Sequence, residues 1–207
     1  MTGRRLVLLR HGRTSWNEVG RAQGHADVEI DDLGHAQAAA VAPYLATLGP
    51  VALWTSDLTR ARQTCGYVER ATGLTAKEDQ RFREYDVGER QGLTGAEFAA
   101  SFPEAYAAWR GTSDDIVRVP GSESAADVAV RIVPALRESL ASLAPGETGI
   151  VVTHGACLKV GLVGLLEWPP SHAADLRAVS NCGWVTVAEV EPRGRLRLTE
   201  YNGRMGR

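Results

Sequence analysis

The stretch Leu6–Asn17, LVLLRHGRTSWN, decides how the rest of the chain is interpreted. Four apolar residues, Leu6–Leu9, run directly into Arg10, His11 and Gly12. An apolar run of this length that ends at a glycine is typical of a strand buried on both faces of a sheet. In open α/β sheets, ligands bind just beyond the carboxyl ends of such strands, and a glycine there lets the backbone approach a ligand closely. We therefore expect His11 to act as a nucleophile toward an anion that Arg10 holds.

The composition is that of one globular domain. The chain has 207 residues, of which 44% are hydrophobic and 23% are charged. A net charge of -2 and a pI of about 6.2 provide no overall field that favours nucleic acid or membranes as partners. No apolar stretch approaches the ~20 residues that span a bilayer, and the start lacks a signal-peptide cleavage region. We expect a cytoplasmic protein without a nucleic-acid or membrane partner.

The cysteines indicate neither a disulfide framework nor a zinc site. Cys65, Cys157 and Cys182 are widely spaced, and no Cys-x-x-Cys pair occurs. An odd number of separated thiols is usual in a reducing compartment.

Strand-like and helix-like segments alternate through the first part of the chain. After the first strand we expect an irregular connection, a helix, a second strand, a helix capped by Ser56 or Asp57, and a weaker third strand; these cover Thr14–Asp32, Gly34–Leu48, Val51–Thr55, 58–72 and Leu74–Glu78. This alternation predicts a mostly parallel sheet with right-handed crossovers.

The second half contains an interruption and then a return to the same pattern. Residues 80–121 are rich in glycine and proline and are interpreted as a lid-like insertion. A helix, a buried strand, a further helix and a terminal hairpin follow, over Ser124–Leu143, Thr148–Thr153, Ala156–Leu166 and 184–201. The predicted fold is α/β, a three-layer α/β/α sandwich with a mostly parallel central sheet, an antiparallel edge strand and a small helical lid insertion. Residues 1–207 form a single domain.

The arrangement strand–His–Gly occurs twice, at His11-Gly12 and His154-Gly155. Because parallel strands end on one side of a sheet, the two imidazoles should converge on one pocket, and the helix after each pair could aim free N–H groups at an anion. Arg60 lies one turn into the second helix on that same side. With Arg10 it would supply two guanidiniums for bidentate recognition of a phosphate, whereas Arg62 should face another way as a surface cation.

A phosphoryl transfer to His11 would leave an alkoxide that needs a proton, so a general acid is required. Glu84 leads by its position where the regular alternation ends, and its rivals are Asp86, Glu89 and Glu104. A metal site from His11, His25 and Asp27 would lack a regular ligand spacing, so we expect none.

Taken together, these segments resemble the histidine phosphatase superfamily, also called the phosphoglycerate mutase-like family. Residues 8–17, LLRHGRTSWN, are similar to its Arg-His-Gly-x-Thr-x-x-Asn signature. Further similar segments follow in the family's order, at Arg21–Asp27, Thr55–Thr64, Arg83-Glu84, Pro120–Ser124 and Val151–Gly155. The matches extend from residue 6 to residue 155.

The resemblance implies a phosphohistidine mechanism without a metal or other cofactor. His11 would attack phosphorus while a backbone carbonyl holds its other nitrogen, and Glu84 would protonate the leaving oxygen and then activate water. The phosphoryl oxygens would be held by Arg10, Arg60, a protonated His154, Asn17 and the Gly155 N–H. Gln23 and Gly24, in the matching loop, would also contact the substrate. Adjacent arginines would help keep His11 unprotonated.

The implied activity is hydrolysis of a small phosphomonoester. A phosphoglycerate mutase is the alternative within the family, but it would carry a longer insertion and an Arg-His-Tyr-Gly stretch after the acid, where this chain has Glu84-Tyr-Asp-Val-Gly-Glu. A non-catalytic phospho-ligand-binding protein on the same fold would be expected to have lost His11 or Glu84. The sequence leaves a homodimer open.

Arginines near the lid suggest that the substrate carries a second anionic group; they are Arg81, Arg83, Arg90 and Arg110. A phosphoglycerate-type or sugar-phosphate ester such as glucosyl-3-phosphoglycerate is therefore the first substrate to consider. Three departures from the family pattern occur, at Arg13, Ser122 and Arg90-Gln91, and the last two lie on the expected substrate side.

Overall fold

The computed structural model describes residues 3–111, 119–190 and 194–205. The strands are β1 Arg5–Arg10, β2 Pro50–Thr55, β3 Lys77–Glu78, β4 Thr148–Thr153, β5 Trp184–Val190 and β6 Arg195–Gly203. The helices are α1 Ser15–Val19, α2 Asp32–Thr47, α3 Thr59–Thr72, α4 Gly95–Ser101, α5 Pro103–Gly111, α6 Ala125–Ala141, α7 Gly155–Leu165 and α8 His172–Asp175. Residues 112–118 of the predicted insertion and 192–193 of the predicted hairpin turn lie outside the described residues.

The described strands form one sheet in the order β3-β2-β4-β1-β5-β6. Strands β1 to β4 are parallel, while β5 runs antiparallel to its neighbours β1 and β6. The predicted mostly parallel sheet with an antiparallel edge is therefore confirmed. β1 pairs with β4 so that Arg10 lies opposite Thr153, which brings the residues that follow them out of the sheet side by side.

Strand β1 is buried on both faces, and this explains its unbroken apolar run. Leu6 and Leu8 pack against α6 and α7 on one face, whereas Val7 and Leu9 pack against α2 and α3 on the other. All four side chains are 0% exposed. Burying a side chain of this size contributes about 1.5–3 kcal/mol, so the strand fixes both helical layers to the sheet. The predicted three-layer arrangement is confirmed.

The segment between Gln80 and Gly121 has a small hydrophobic cluster of its own, formed in its described part by Leu93, Phe98, Phe102, Ala105, Tyr106, Trp109 and Val119. It is joined to the loop after α1 by two backbone hydrogen bonds. The Ala22 N–H donates to the Leu93 carbonyl at 3.0 Å, and the Gly92 N–H donates to the Ala22 carbonyl at 2.8 Å. The insertion therefore lies against the loop that contains Gln23 and Gly24.

The connection Thr14–Asp32 is not wholly irregular as predicted, because it contains α1. Thr14 Oγ1 accepts the Asn17 N–H at 3.1 Å, and Asn17 Oδ1 accepts the Thr14 N–H at 3.2 Å. This is a capping box in which Asn takes the place of the usual Glu or Gln. The helix buries none of its side chains, so it carries no hydrophobic periodicity by which the sequence could reveal it.

The predicted cap of α3 is also wrong. The N-cap residue is Leu58, which makes no side-chain capping bond. Asp57 instead accepts a hydrogen bond from Arg83 Nε at 2.8 Å, and Ser56 Oγ contacts His154. Asp57 is engaged by a partner distant in sequence, and Ser56 Oγ accepts only the N–H of Leu58 itself, at 3.3 Å, besides its contact with His154.

No helix within the described ranges is long and apolar enough to cross a bilayer.

Candidate active site

The two predicted histidines meet where β1 and β4 end. The His11 and His154 ring centroids lie 5.2 Å apart, and the ring planes are inclined by 57°. His11 is 3% exposed and His154 is 0% exposed. Two imidazoles held this close, with almost no solvent contact, form the centre of the site that the strand ends predicted.

His11 is oriented by its own backbone neighbour. Its Nδ1 lies 2.7 Å from the Gly12 carbonyl oxygen, and since a carbonyl can only accept, Nδ1 carries the proton. Nε2 therefore presents a lone pair. Burial, followed by the positive charges of Arg60 and Arg10, holds the pKa of His11 well below its usual value of 6.5. The ring is thus neutral at physiological pH, with an unprotonated Nε2.

Gly12 is required by close packing behind His11. A Cβ at this position would lie 2.7 Å from the Gly34 carbonyl oxygen, which is backbone and cannot move aside cheaply. The Gly12 N–H donates to Thr64 Oγ1 at 2.9 Å, and that hydroxyl donates to the Arg60 carbonyl at 2.7 Å. Thr64 therefore ties the turn after β1 to the helix that carries Arg60.

Arg10 has donor capacity directed toward the site. Its Nη1 donates to the Val179 carbonyl at 2.6 Å, but its buried Nε has no hydrogen-bond partner among the described residues. A Cβ on Gly155 would lie 3.2 Å from that Nε, so the guanidinium sits against the first residue of α7. Gln23 Oε1 is likewise buried without a partner in the described part of the chain. Buried polar atoms are normally hydrogen-bonded, so the Arg10 Nε–H is a donor available to a ligand acceptor.

Arg60 is completely buried and forms part of the framework of the site. Its Nε donates to His154 Nδ1 at 3.1 Å, its Nη1 to the Ala26 carbonyl at 2.7 Å, and its Nη2 to the Gly24 carbonyl at 2.8 Å. Burial is the main reason that its pKa falls to about 10, which still leaves it a cation at neutral pH. A guanidinium has five N–H donors, so one on each Nη is left for an anion.

Arg62 lies outside this arrangement, as predicted. Its side chain is 56% exposed, and its Nε lies 3.4 Å from Glu78 Oε1 at the surface.

His154 corrects a predicted charge state. Its Nδ1 accepts from a guanidinium, which always donates, so the ring proton is on Nε2, 2.9 Å from Ser56 Oγ. Burial, then the positive charge of Arg60 and the neighbouring His11, hold the pKa of His154 well below 6.5. The predicted protonated His154 is therefore wrong in this structure: the ring is neutral and donates through Nε2.

Glu84 occupies the N-terminus of α7. Its Oε1 accepts the Cys157 N–H at 2.8 Å and the Tyr85 N–H at 3.1 Å, and its Oε2 accepts the Ala156 N–H at 3.0 Å. Two of these three N–H groups, those of Ala156 and Cys157, belong to the first turn of α7, so the carboxyl group faces the positive end of the helix dipole. Glu84 thus lies beside the His154-Gly155 turn.

The rival acids lie elsewhere. Asp86 Oδ1 caps the Gly88 N–H at 2.9 Å, and Glu89 and Glu104 are exposed. Of these four carboxylates, Glu84 is the one that contacts the second histidine strand end.

Asn17 is held by a residue that the sequence did not single out. Asn181 Nδ2 donates to the His11 carbonyl and to Asn17 Oδ1, at 3.1 Å in each case. With Oδ1 engaged in this way, Asn17 has its Nδ2 left to donate. Asn181 directly precedes the loop into β5, and the pairing of β5 with β1 is the signal that could have located it.

Two of the four lid arginines are already paired, which corrects their predicted role toward substrate. Arg81 binds Asp79 and Glu138, at 2.7 Å in each case, and Arg83 binds Asp57. Arg90 instead stacks over the rings of Phe98 and Trp109, with its Cζ 5.1 Å from each centroid, and Arg110 is exposed. Of the four arginines in the predicted lid, Arg90 and Arg110 make no ion pair with the described residues, and Arg90 is the half-buried one of these two.

The remaining candidates are held structurally. His25 Nε2 lies 2.8 Å from the Glu84 carbonyl oxygen, and Asp27 accepts from the Thr59 N–H and hydroxyl. Over the described ranges, no group of three or more His, Cys, Asp or Glu side chains is arranged to hold a metal ion. The three cysteines are free and buried, and burial raises the pKa of each thiol to about 12.

Comparison with known proteins agrees with this site. A solved structure of a mycobacterial glucosyl-3-phosphoglycerate phosphatase with VO3 superposes with a TM-score of 0.86 at 35% identity, covering 96% of this chain and 99% of that chain. A glucosyl-3-phosphoglycerate phosphatase of Mycobacterium tuberculosis is 37% identical over 196 residues, which are 91% of this chain and 86% of that protein. A metal-independent phosphoserine phosphatase of Arabidopsis thaliana is 38% identical over 156 residues, which are 74% of this chain and 65% of that protein. The family model for the histidine phosphatase superfamily (branch 1) matches residues 6–202. The chain therefore belongs to the histidine phosphatase superfamily.

Proposed function

We propose that this chain hydrolyses a small phosphomonoester through a covalent phosphohistidine on His11, without a metal ion or other cofactor. The enzyme class, a phosphoric monoester hydrolase, is that of its relatives. The observation that carries the mechanism is the tautomer of His11, because the bond from Nδ1 to the Gly12 carbonyl leaves Nε2 as an unprotonated nucleophile between two arginines.

In the first step, His11 Nε2 attacks phosphorus and the bond from phosphorus to the leaving oxygen breaks. The leaving oxygen takes its proton from Glu84, which must first be protonated. Charge on the phosphoryl oxygens is balanced by Arg10, by the unused N–H groups of Arg60 and by the Gly155 N–H at the start of α7. Phosphoryl transfer depends mainly on such positioning and electrostatic stabilisation.

In the second step, Glu84 as a carboxylate removes a proton from water, whose oxygen attacks phosphorus as the bond to Nε2 breaks. The products are inorganic phosphate and neutral His11, with Nδ1 still bound to Gly12. The three N–H donors on Glu84 orient its carboxylate for this second step. His154 stays neutral and carries its ring proton on Nε2. Asn17 and Gln23 are the neutral side chains proposed to contact the substrate.

We infer that the substrate is a phosphoglycerate-type ester, with glucosyl-3-phosphoglycerate as the first candidate. Two observations support this substrate. The mycobacterial relative carries that activity in its name and is similar over nearly its whole length. Arg90, without an ion pair among the described residues, is placed in the insertion and would suit a substrate carboxylate.

The domain organisation proposed here is one domain over 1–207, in which 80–121 is a lid-like insertion. Its separate cluster around Phe98 and its hydrogen bonds to Ala22 support this interpretation. A cytoplasmic location is likewise proposed, and a homodimer stays open.

The function is tested with 3-phosphoglycerate as substrate, with and without EDTA, for wild type and His11→Ala. If the chain hydrolyses this ester, the wild type should release phosphate with and without EDTA. His11→Ala should release none. Formation of 2-phosphoglycerate in place of phosphate would show a mutase, and loss of activity in EDTA would show a metal mechanism. Binding of 3-phosphoglycerate without any turnover would show a non-catalytic phospho-ligand-binding protein.

A further inference from the structure

One side chain on α6 uses three of its five N–H donors on the segment that carries Glu84. Arg131 Nη1 donates to the Arg81 carbonyl at 2.9 Å and to the Arg83 carbonyl at 2.8 Å. Its Nη2 donates to the Glu84 carbonyl at 2.9 Å. The two remaining N–H groups, on Nε and Nη2, donate to the Glu123 carboxylate at 2.8 Å each. A guanidinium has five N–H donors, and here each of them has an acceptor.

Glu123 holds the same segment on the other side of Glu84. Its Oε2 accepts the Asp86 N–H at 2.8 Å, and its own N–H donates to the Asp86 carbonyl at 2.9 Å. The Arg131–Glu123 pair is therefore hydrogen-bonded to backbone groups from Arg81 to Asp86. Glu84 lies within this hydrogen-bonded segment.

Arg131 is carried by a helix that is packed into the main core. α6 packs its Val128, Ile132 and Leu136 into the main core, and each of these side chains is 0% exposed. The Glu84 carboxylate is held separately, by the first turn of α7. The backbone of Glu84 is thus fixed by one helix and its side chain by another.

Burying the charges of Arg131 and Glu123 costs hydration free energy, which argues that the geometry of this pair matters. The side chains of Arg131 and Glu123 are 18% and 22% exposed, so both charges lose much of their hydration. Burying an ion pair contributes little net stability compared with apolar packing, and its best-attested value is in fixing one geometry. Proton transfer is a step in which such geometry counts, because a misplacement of about 1 Å can cost a hundredfold in rate.

We propose that Arg131, oriented by Glu123, is a positioning residue that sets Glu84 for proton transfer to the leaving oxygen. This inference rests on the proposed function, since it assumes that Glu84 is the acid. Arg131 itself touches neither the substrate nor the reacting atoms.

The test compares kcat/KM for two probes, 3-phosphoglycerate and 4-nitrophenyl phosphate. The first has an alkoxide leaving group that needs a proton, and the second has a phenolate that leaves with little help. Since kcat/KM covers the steps up to loss of the leaving group, the shared hydrolysis of the phosphohistidine does not enter the comparison. The ratio of the two values therefore reports the acid.

Arg131→Lys keeps the charge but cannot reach three carbonyls and a carboxylate together. We expect it to lower kcat/KM for 3-phosphoglycerate by about ten- to a hundredfold and for 4-nitrophenyl phosphate by less than about threefold. Adding Arg131→Lys to Glu84→Gln should lower the ratio no further, because both changes act on one proton transfer. Glu123→Gln, which keeps the side-chain shape, should shift the ratio in the same direction and supplies a second variant if Arg131→Lys folds poorly.

Arg137→Lys is the matched control on the same helix. Arg137 pairs with Glu167 at 3.2 Å on the surface, where its side chain is 55% exposed, so its replacement should leave the ratio unchanged. Equal losses on both probes, or losses that add to those of Glu84→Gln, would overturn the positioning role and leave a structural one. If Glu84→Gln itself spares the ratio, the acid assignment in the proposed function fails, and this inference fails with it.

Discussion

Arg60 and His154 share a buried hydrogen bond in which the guanidinium Nε donates to the imidazole Nδ1 at 3.1 Å. The bond determines which nitrogen of His154 carries the proton, because the arginine can only donate. It also joins α3 to the residue that follows β4. In the proposed mechanism, the charge that balances the phosphoryl group therefore comes from the arginines and the N-terminus of α7, without a contribution from an imidazolium.

The imidazoles of His11 and His154 should be opposite tautomers. We expect nitrogen NMR shifts to show the proton of His11 on Nδ1 and that of His154 on Nε2, since their acceptors are the Gly12 carbonyl and Ser56 Oγ. Neither ring should become protonated as the pH falls from 8 to 6.5, because the pKa of each is lowered well below its usual value of 6.5. An imidazolium signal from His154 at neutral pH would contradict the charge state described above.

Replacing Arg60 even by lysine, a conservative substitution, should strongly reduce activity. Arg60→Lys keeps a positive charge but cannot bond His154, Gly24 and Ala26 at once. We expect kcat/KM to fall by about a hundredfold or more, as for loss of a preorganised donor. Arg62→Lys, two residues further along the same helix and exposed, is the control and should keep nearly full activity. Similar activity in the two variants would rule out the framework role of Arg60.

The proposed acid should reveal itself through the leaving group. Glu84→Gln keeps the shape of the side chain but cannot transfer a proton, so kcat/KM for an alkyl phosphate should fall by about a hundredfold, at the lower end for general acid catalysis. An aryl phosphate should lose much less. Glu89→Gln, on the same segment but exposed, should change neither substrate. Equal losses for alkyl and aryl substrates in Glu84→Gln would exclude the role of acid.

Stability should depend on pH through the two buried imidazoles. The pKa of His11 and of His154 is lowered in the folded state, so below about pH 6.5 the unfolded chain binds protons that the folded chain does not. The contribution of the two neutral rings to the free energy of unfolding is fully present above that pH. It is lost as the pH falls toward the folded-state pKa values. The free energy of unfolding should therefore decrease by up to about 1.4 kcal/mol per pH unit for each histidine.

Urea unfolding from pH 8 to pH 5 measures this slope. His11→Asn should remove about half of it over this range, whereas His172→Asn should leave it intact because His172 is exposed. A wild-type slope that His11→Asn does not change would show that other groups cause it.

The sequence located the parts of the site that local patterns determine. The runs before His11 and His154 predicted two buried strands, and parallel pairing then predicted their convergence, which the 5.2 Å centroid distance shows. Family resemblance supplied Arg60 and Glu84. Arg60 lies at the site because α3 begins on that side of the sheet, whereas Glu84 lies in the irregular segment that follows β3.

What the sequence could not determine were hydrogen bonds between segments distant along the chain. The neutral state of His154 depends on Arg60, 94 residues away, and the pairing of Arg83 depends on Asp57, 26 residues away. Asn181 and Arg131 were missed for the same reason. No local periodicity reports such partners, because they are chosen by packing of the finished fold.

The central claim is that phosphate passes through a covalent bond to His11 Nε2. Rapid mixing with a phosphate-labelled aryl ester, followed by quenching in alkali and mapping of peptides, measures that bond directly. We predict label on the peptide containing His11, unchanged by EDTA and absent in His11→Ala. Label on another residue, or undiminished turnover by His11→Ala, would contradict the account.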